Sequence, residues 1–203
     1  MFNLTATDVE SNGFVTAFPC NQSRPLASNL NVTAGQTVPN LVTVALPANK
    51  RVCFFTASRT NLIADLAGWY STSATSGFIS TTPIRWVDTR DQSAEPVPAG
   101  AYAVDFGTDI PDATAVVLNA TVVGPVLPGF LTLYPCSPQP PLASNVNFVA
   151  GQIVPNMAIS ALDPDGVLCV LNSVDTHWLL DISGYFTETP LFLQFFPDGT
   201  DNL

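Results

Sequence analysis

The sequence predicts an all-β protein, and three observations carry that expectation. Charged residues make up only 11% of the chain, whereas surface helices normally carry Glu, Lys and Arg along their wet faces. Eighteen prolines and twelve glycines, set among abundant Thr, Val, Asn and Ser, suit short strands joined by turns. Apolar residues at 47% and aromatics at 10% are enough to fill a core, so the chain does not read as disordered.

A repeat organises these strands. Residues 1–72 align without a gap on residues 117–188, an offset of 116, with 25 identical positions of 72. Gly13-Phe-Val-Thr-Ala-Phe-Pro-Cys20 returns as Gly129-Phe-Leu-Thr-Leu-Tyr-Pro-Cys136, Pro25-Leu-Ala-Ser-Asn-Leu-Asn31 as Pro141-Leu-Ala-Ser-Asn-Val-Asn147, and Ala34-Gly-Gln-Thr-Val-Pro-Asn40 as Ala150-Gly-Gln-Ile-Val-Pro-Asn156. Asp65, Gly68, Trp69 and Tyr70 become Asp181, Gly184, Tyr185 and Phe186.

In the second copy the sequence predicts strands near 84–88, 101–106, 114–123, 130–135, 145–149, 157–162, 167–172 and 177–186. Gly, Pro, Asn and Asp separate them at the intervals of sandwiches and barrels. Tandem β-sandwich modules, jelly-roll or immunoglobulin-like, are the expected fold. Around 145–149, Val146 and Phe148 alternate with Asn145 and Asn147, as on a strand with one buried and one wet face. Leu30 and Val32 alternate with Asn29 and Asn31 in the first copy. Asp163-Pro-Asp-Gly166 reads as a hairpin turn between two strands, with Pro47 to Lys50 as its counterpart.

The first copy is shorter, since Met1 aligns on Val117 and nothing in it corresponds to roughly 82–116. The expected organisation is an incomplete sandwich over 1–72, a linker over 73–81, a complete sandwich over 82–187 and a strand-like tail over 188–203. A sandwich without its leading strands exposes core and unpaired edges. The tail Pro190-Leu-Phe-Leu-Gln-Phe-Phe-Pro197 is the candidate cover. Its Leu191, Phe192, Leu193, Phe195 and Phe196, from the same chain or a neighbour, would complete the first copy by β-augmentation.

Cys20, Cys53, Cys136 and Cys169 lie two to a repeat. Of the three pairings of four cysteines, only Cys20 with Cys53 and Cys136 with Cys169 respects the repeat. Closing each loop stabilises by about 3–4 kcal/mol on the chain-entropy estimate. Zinc would need closely spaced pairs such as C-x-x-C, which the sequence lacks. Disulfides imply an oxidising, extracellular setting. The N-terminus, Met-Phe-Asn-Leu-Thr-Ala-Thr-Asp, lacks the basic and apolar regions of a signal peptide, so the expectation is a removed signal or an excerpt of something longer.

Six basic against sixteen acidic residues give a net charge of -10, with no basic stripe for nucleic acid and no polybasic patch for an anionic membrane. No run approaches the roughly 18–20 apolar residues of a membrane span.

The ordered set Arg85-x-x-Asp88-Thr89-Arg90, Ala115-Val-Val-Leu-Asn-Ala-Thr121, Gly129-Phe-Leu-Thr-x-Tyr-Pro135, Ser144-Asn-x-Asn147, Val154-Pro-Asn156 and Asp181-x-x-Gly-Tyr-Phe186 resembles a repeated all-β domain. That domain occurs in large secreted and cell-wall-associated proteins of actinobacteria and related bacteria, often beside peptidoglycan-acting or other hydrolytic domains. The resemblance covers nearly the whole chain and implies an extracellular, cell-surface or cell-wall location. It supplies no catalytic residue. The first copy departs from it by lacking the Arg-x-x-Asp-Thr-Arg segment.

No nucleophile-elbow, zincin, P-loop or dinucleotide motif occurs, and the expectation is a non-enzymatic module without cofactor or metal. His177, the one histidine, has Asn61 as its counterpart and so is not a shared element. Asp65 and Asp181, each three residues before a glycine and then two aromatics, are the most notable shared carboxylates. A turn cap or an ion pair explains them better than acid-base work, and Arg85 or Arg90 is the expected partner of Asp181. Asp163, Asp165 and Asp198 to Asp201 carry oxygen ligands of the kind calcium prefers, but turn chemistry accounts for them equally well.

Trp69, Trp86 and Trp178 are the candidates for stacking on a sugar or for an interface. The sequons at Asn3, Asn21, Asn31 and Asn119 would accept glycan only in a secreted eukaryotic protein. The function expected from all this is a structural or adhesive surface module that assembles head to tail by strand complementation. Its partners would be copies of itself or other surface proteins. A carbohydrate- or cell-wall-binding module accessory to a secreted hydrolase is the second reading, with polysaccharide as partner.

Overall fold

The computed structural model describes residues 1–71, 74–137 and 139–188. Six strands form the first module: β1 (Phe2–Thr7), β2 (Gly13–Pro19), β3 (Leu30–Val32), β4 (Val38–Val42), β5 (Val52–Thr56) and β6 (Asn61–Leu66). Eight form the second: β7 (Gly77–Asp88), β8 (Gly100–Asp105), β9 (Ala113–Val123), β10 (Gly129–Pro135), β11 (Val146–Phe148), β12 (Ile153–Ala161), β13 (Val167–Asn172) and β14 (His177–Thr187). A single 3-10 turn at Thr89–Asp91 is the one helical element among the described residues.

The strands make four antiparallel sheets, paired into two β-sandwiches. In the first module β4-β1-β6 faces β3-β2-β5; in the second β12-β9-β14-β7 faces β11-β10-β13-β8. Alternation drives each sheet to bury one face. In β1, Phe2, Leu4 and Ala6 enter the first core; in β9, Leu118, Ala120 and Val122 enter the second. The disulfides are Cys20–Cys53 and Cys136–Cys169. Each ties the end of one strand to its hydrogen-bonded neighbour, β2 to β5 and β10 to β13.

The second module has two strands that the first lacks. β7 is the edge strand beside β14, and β8 is the edge strand beside β13. Their absence from the first module leaves β6 and β5 as edges on the same side of that sandwich.

Two expectations need correction. β7 begins at Gly77 and pairs with β14 from Thr187↔Gly77 onward, so the second module starts inside the segment read as a linker. Pro83 falls within β7 at an irregularity opposite Ile182 to Gly184, on an outer strand where proline removes no ladder bond that the sheet needs. The Asp163–Gly166 turn is not a hairpin. Gly166 N donates to the Asp163 carbonyl at 3.0 Å, but β12 and β13 belong to different sheets, and the turn carries the chain across the sandwich. The tail residues Leu191, Phe192, Leu193, Phe195 and Phe196 lie outside the described residues.

Candidate functional site

Asn3 and Thr5 point away from the core of the first module, yet both are buried. Burying polar groups is costly unless each finds a partner, and here the partners come from the second module. Asn3 Nδ2 donates to the Ser144 carbonyl at 2.7 Å, and Asn3 Oδ1 accepts from Asn156 Nδ2 at 2.7 Å. Asn156 Nδ2 also donates to the Asn145 carbonyl at 2.6 Å, while its Oδ1 accepts the Leu41 N–H at 3.2 Å. Asn147 Nδ2 donates to Thr5 Oγ1 at 3.0 Å, and the Ser144 N–H donates to Asp65 Oδ2 at 3.2 Å. Five hydrogen bonds therefore join the outer face of β4-β1-β6 to the β10–β12 corner of the second module. Beside them, Ile63 and Asp65 line a cleft with Phe130, Pro141, Leu142 and Leu171.

A second constellation closes the corner where β7 meets the 3-10 turn. Arg85 Nε donates to Asp181, its cross-strand neighbour, and Arg85 Nη1 donates to Asp88 at 2.7 Å. Asp88 also accepts from Arg90 Nε at 2.9 Å, Nη2 at 2.6 Å and the backbone N–H at 3.1 Å. The Arg90 hydrogen bonds, followed by the charges of both arginines, hold the Asp88 carboxyl far below the usual carboxylate range against the opposing effect of burial. Thr89 Oγ1 accepts the Trp178 N–H at 3.0 Å and lies 3.1 Å from His177 Nδ1. With that hydroxyl donating to Nδ1, Nε2–H faces the Ala94 carbonyl at 3.4 Å. His177 thus braces a turn. It stands in no triad, because its ring contacts are a threonine hydroxyl and a carbonyl oxygen.

Asp181 takes Arg85 as its partner, while Arg90 is engaged by Asp88. Among the described residues no arginine pairs with Asp65, which accepts a backbone N–H of the other module instead. Asp163 caps its own turn, accepting from the N–H groups of Asp165 and Val167 at 3.0 and 2.8 Å; Asp198 and Asp201 lie outside the described residues.

The tryptophans separate. Trp178 is 3% exposed inside the second core, which corrects its place among surface candidates. Trp86 stacks on Phe106 with ring centroids 4.7 Å apart and donates Nε1–H to the Asp105 carbonyl at 3.3 Å. Trp69 is 74% exposed. Its counterpart Tyr185 pairs across to Ile79 of β7, so the exposure of Trp69 follows from the absent edge strand.

The same absence uncovers core positions. Leu66 is 74% exposed and its counterpart Ile182 2%; Phe54 is 41% exposed and its counterpart Val170 is sealed. The inter-module asparagine network is the feature that sequence reading missed. Asn3 and Asn147 sit at outward positions that alternation assigns to water, and Asn156 falls on the core side of β12 between Val154 and Ala158; only the identity of all three across the repeat could have signalled a shared task. The disulfides agree with an oxidising, extracellular setting. No family model, curated protein or solved structure matches the chain.

Proposed function

We propose that this chain is a non-catalytic extracellular module of a cell surface or cell wall, a stiff structural or adhesive spacer. The observation that carries this reading is the hydrogen-bonded junction between the modules. A flexible tether would leave Asn3 and Thr5 wet; the buried network instead fixes one sandwich on the next. Two disulfides and two sandwich cores suit a part that must persist outside the cell. The paired open edges β5 and β6 support growth by strand addition, with Leu191–Phe196 as the candidate strand.

A carbohydrate-binding module is the competing reading, and exposed Trp69 is the observation in its favour. The test is binding of the full chain to insoluble peptidoglycan and to a panel of polysaccharides, beside Trp69→Ala. A spacer is expected to show no saturable binding that depends on Trp69. Saturable binding lost in the variant would overturn the spacer reading and favour the second.

A further inference from the structure

We propose that the β2–β4 corner of the first module, around Ser28, Asn31 and Asn40, is a second copy of the socket that joins the two modules. Its occupant is the Asn119–Thr121–Asp181 face of another copy of this chain, so that chains stack head to tail. The inference deepens the spacer reading and rests on it.

Every hydrogen-bonding side chain of the internal junction recurs, unchanged, at a site outside that junction. Asn3, Thr5 and Asp65 on the inserting side correspond to Asn119, Thr121 and Asp181. Ser144, Asn147 and Asn156 on the receiving side correspond to Ser28, Asn31 and Asn40. The seventh participant, Leu41, contributes only its backbone N–H, which Met157 can supply. Alternation requires none of these six identities: Asn119, Thr121, Asp181 and Asn31 occupy outward sites where any polar residue could face water, and Asn40 stands on the core side of β4 between Val38 and Val42, where an apolar residue would be expected.

Burial separates the used set from the free one. Asn3, Thr5 and Asn156 are buried; Asn119, Thr121 and Asn40 are only half-buried, and Ser28 and Asn31 are exposed. Asn40 is already set for the task, because its Nδ2 donates to the Asn29 carbonyl at 2.6 Å as Asn156 does to Asn145. The cleft is repeated too. Phe14, Pro25, Leu26, Ala27, Ser28 and Asn31 line a groove whose counterparts hold Ile63 and Asp65 at the internal junction.

Docking changes one existing bond, and Asp181 keeps Arg85 while accepting one further donor. Asn119 Nδ2 donates to Thr121 Oγ1 at 3.1 Å; on docking it would turn to the Ser28 carbonyl, as Asn3 does to Ser144, and free Thr121 for Asn31. One difference favours a partner with an acidic insert. Arg24 stands where the filled cleft has Pro140, its guanidinium 3.8 Å from the centre of the Phe55 ring, and the residue that enters is Asp181. Because each module shows different surfaces to its two neighbours, the contact is heterologous and repeats from chain to chain instead of ending at a two-fold dimer. A head-to-tail stack of chains is the expected product.

Light scattering and sedimentation of the full chain from micromolar to millimolar concentration test this, with Arg24→Glu, Asn31→Ala and a variant lacking 189–203. Arg24 and Asn31 are exposed, and circular dichroism checks that both variants fold. The expected result is concentration-dependent association, weakened about tenfold or more by Arg24→Glu, which sets like charges together, weakened by Asn31→Ala, and retained without 189–203. A chain monomeric throughout, or association unchanged in Arg24→Glu but lost without 189–203, would overturn the socket. Neither outcome touches the spacer reading, which falls only to Trp69-dependent glycan binding.

Discussion

Asp88 shows how one carboxylate organises a corner of the complete module. Four donors from Arg85 and Arg90 converge on it, and Arg85 continues to Asp181 on β14. The Arg-x-x-Asp-Thr-Arg segment is therefore a clasp between β7, the 3-10 turn and β14. Its residue types follow from the chemistry: a planar guanidinium can serve two carboxylates at once. Because Asp88 titrates below its unfolded value, its stabilisation is complete above the unfolded pKa of about 3.9 and is lost as pH falls below that. Asp88→Asn is expected to destabilise the second module by about 2 kcal/mol at neutral pH. Denaturant titrations at pH 7 and pH 3 check this: the deficit of the variant relative to the parent is expected to shrink at the lower pH. An equal deficit at both would sink the clasp.

Edge strand β7 is what distinguishes the two modules, and Gly184 records its presence. A Cβ at Gly184 would stand 2.5 Å from the Phe78 ring and 2.6 Å from the Ile79 carbonyl, whereas at its counterpart Gly68 the nearest atom is Met1 Cε at 3.6 Å. Gly184→Ala is expected to cost about 1–3 kcal/mol by forcing β7 outward. Hydrogen exchange checks it, with protection falling along β7 and β14 and unchanged over β1–β6. Most strands were legible because turn residues and period-two alternation bound them, as in β10, β11 and β13. The first half of β7 was not, since 73–81 is rich in Ser and Thr like a linker and its pairing depends on a partner about a hundred residues later. The Asp163–Gly166 turn was legible as a turn, but local chemistry does not say which sheet the next strand joins. The clasp was half legible: Asp181 had two candidate arginines, and only the engagement of Arg90 by Asp88 selects Arg85. The junction was not legible position by position, because outward Asn3 and Asn147 look the same whether water or another module covers them.

The molecule as a whole offers a direct comparison, because one residue type occupies the same position in a filled and an empty junction. Asn156 and Asn40 share their internal bond to the preceding β-loop carbonyl, but Asn156 also bonds Asn3 and the Leu41 N–H across the junction. Asn156→Ala removes that internal bond and leaves two partners without it in a buried place, where each unsatisfied group costs about 1–3 kcal/mol. Asn40→Ala removes only the internal bond, worth about 1 kcal/mol. Asn156→Ala is therefore expected to be the more damaging by about 2 kcal/mol or more. The loss belongs to the coupling between modules. The first core has nine buried apolar residues among those described and the second eighteen, so the first module depends more on its neighbour. Calorimetry at low protein concentration, where chains do not stack, is expected to show Asn156→Ala melting in two steps with the first module leading, and Asn40→Ala melting like the parent but slightly earlier. Equal losses in the two variants would mean that the junction contributes nothing to holding the modules as one body.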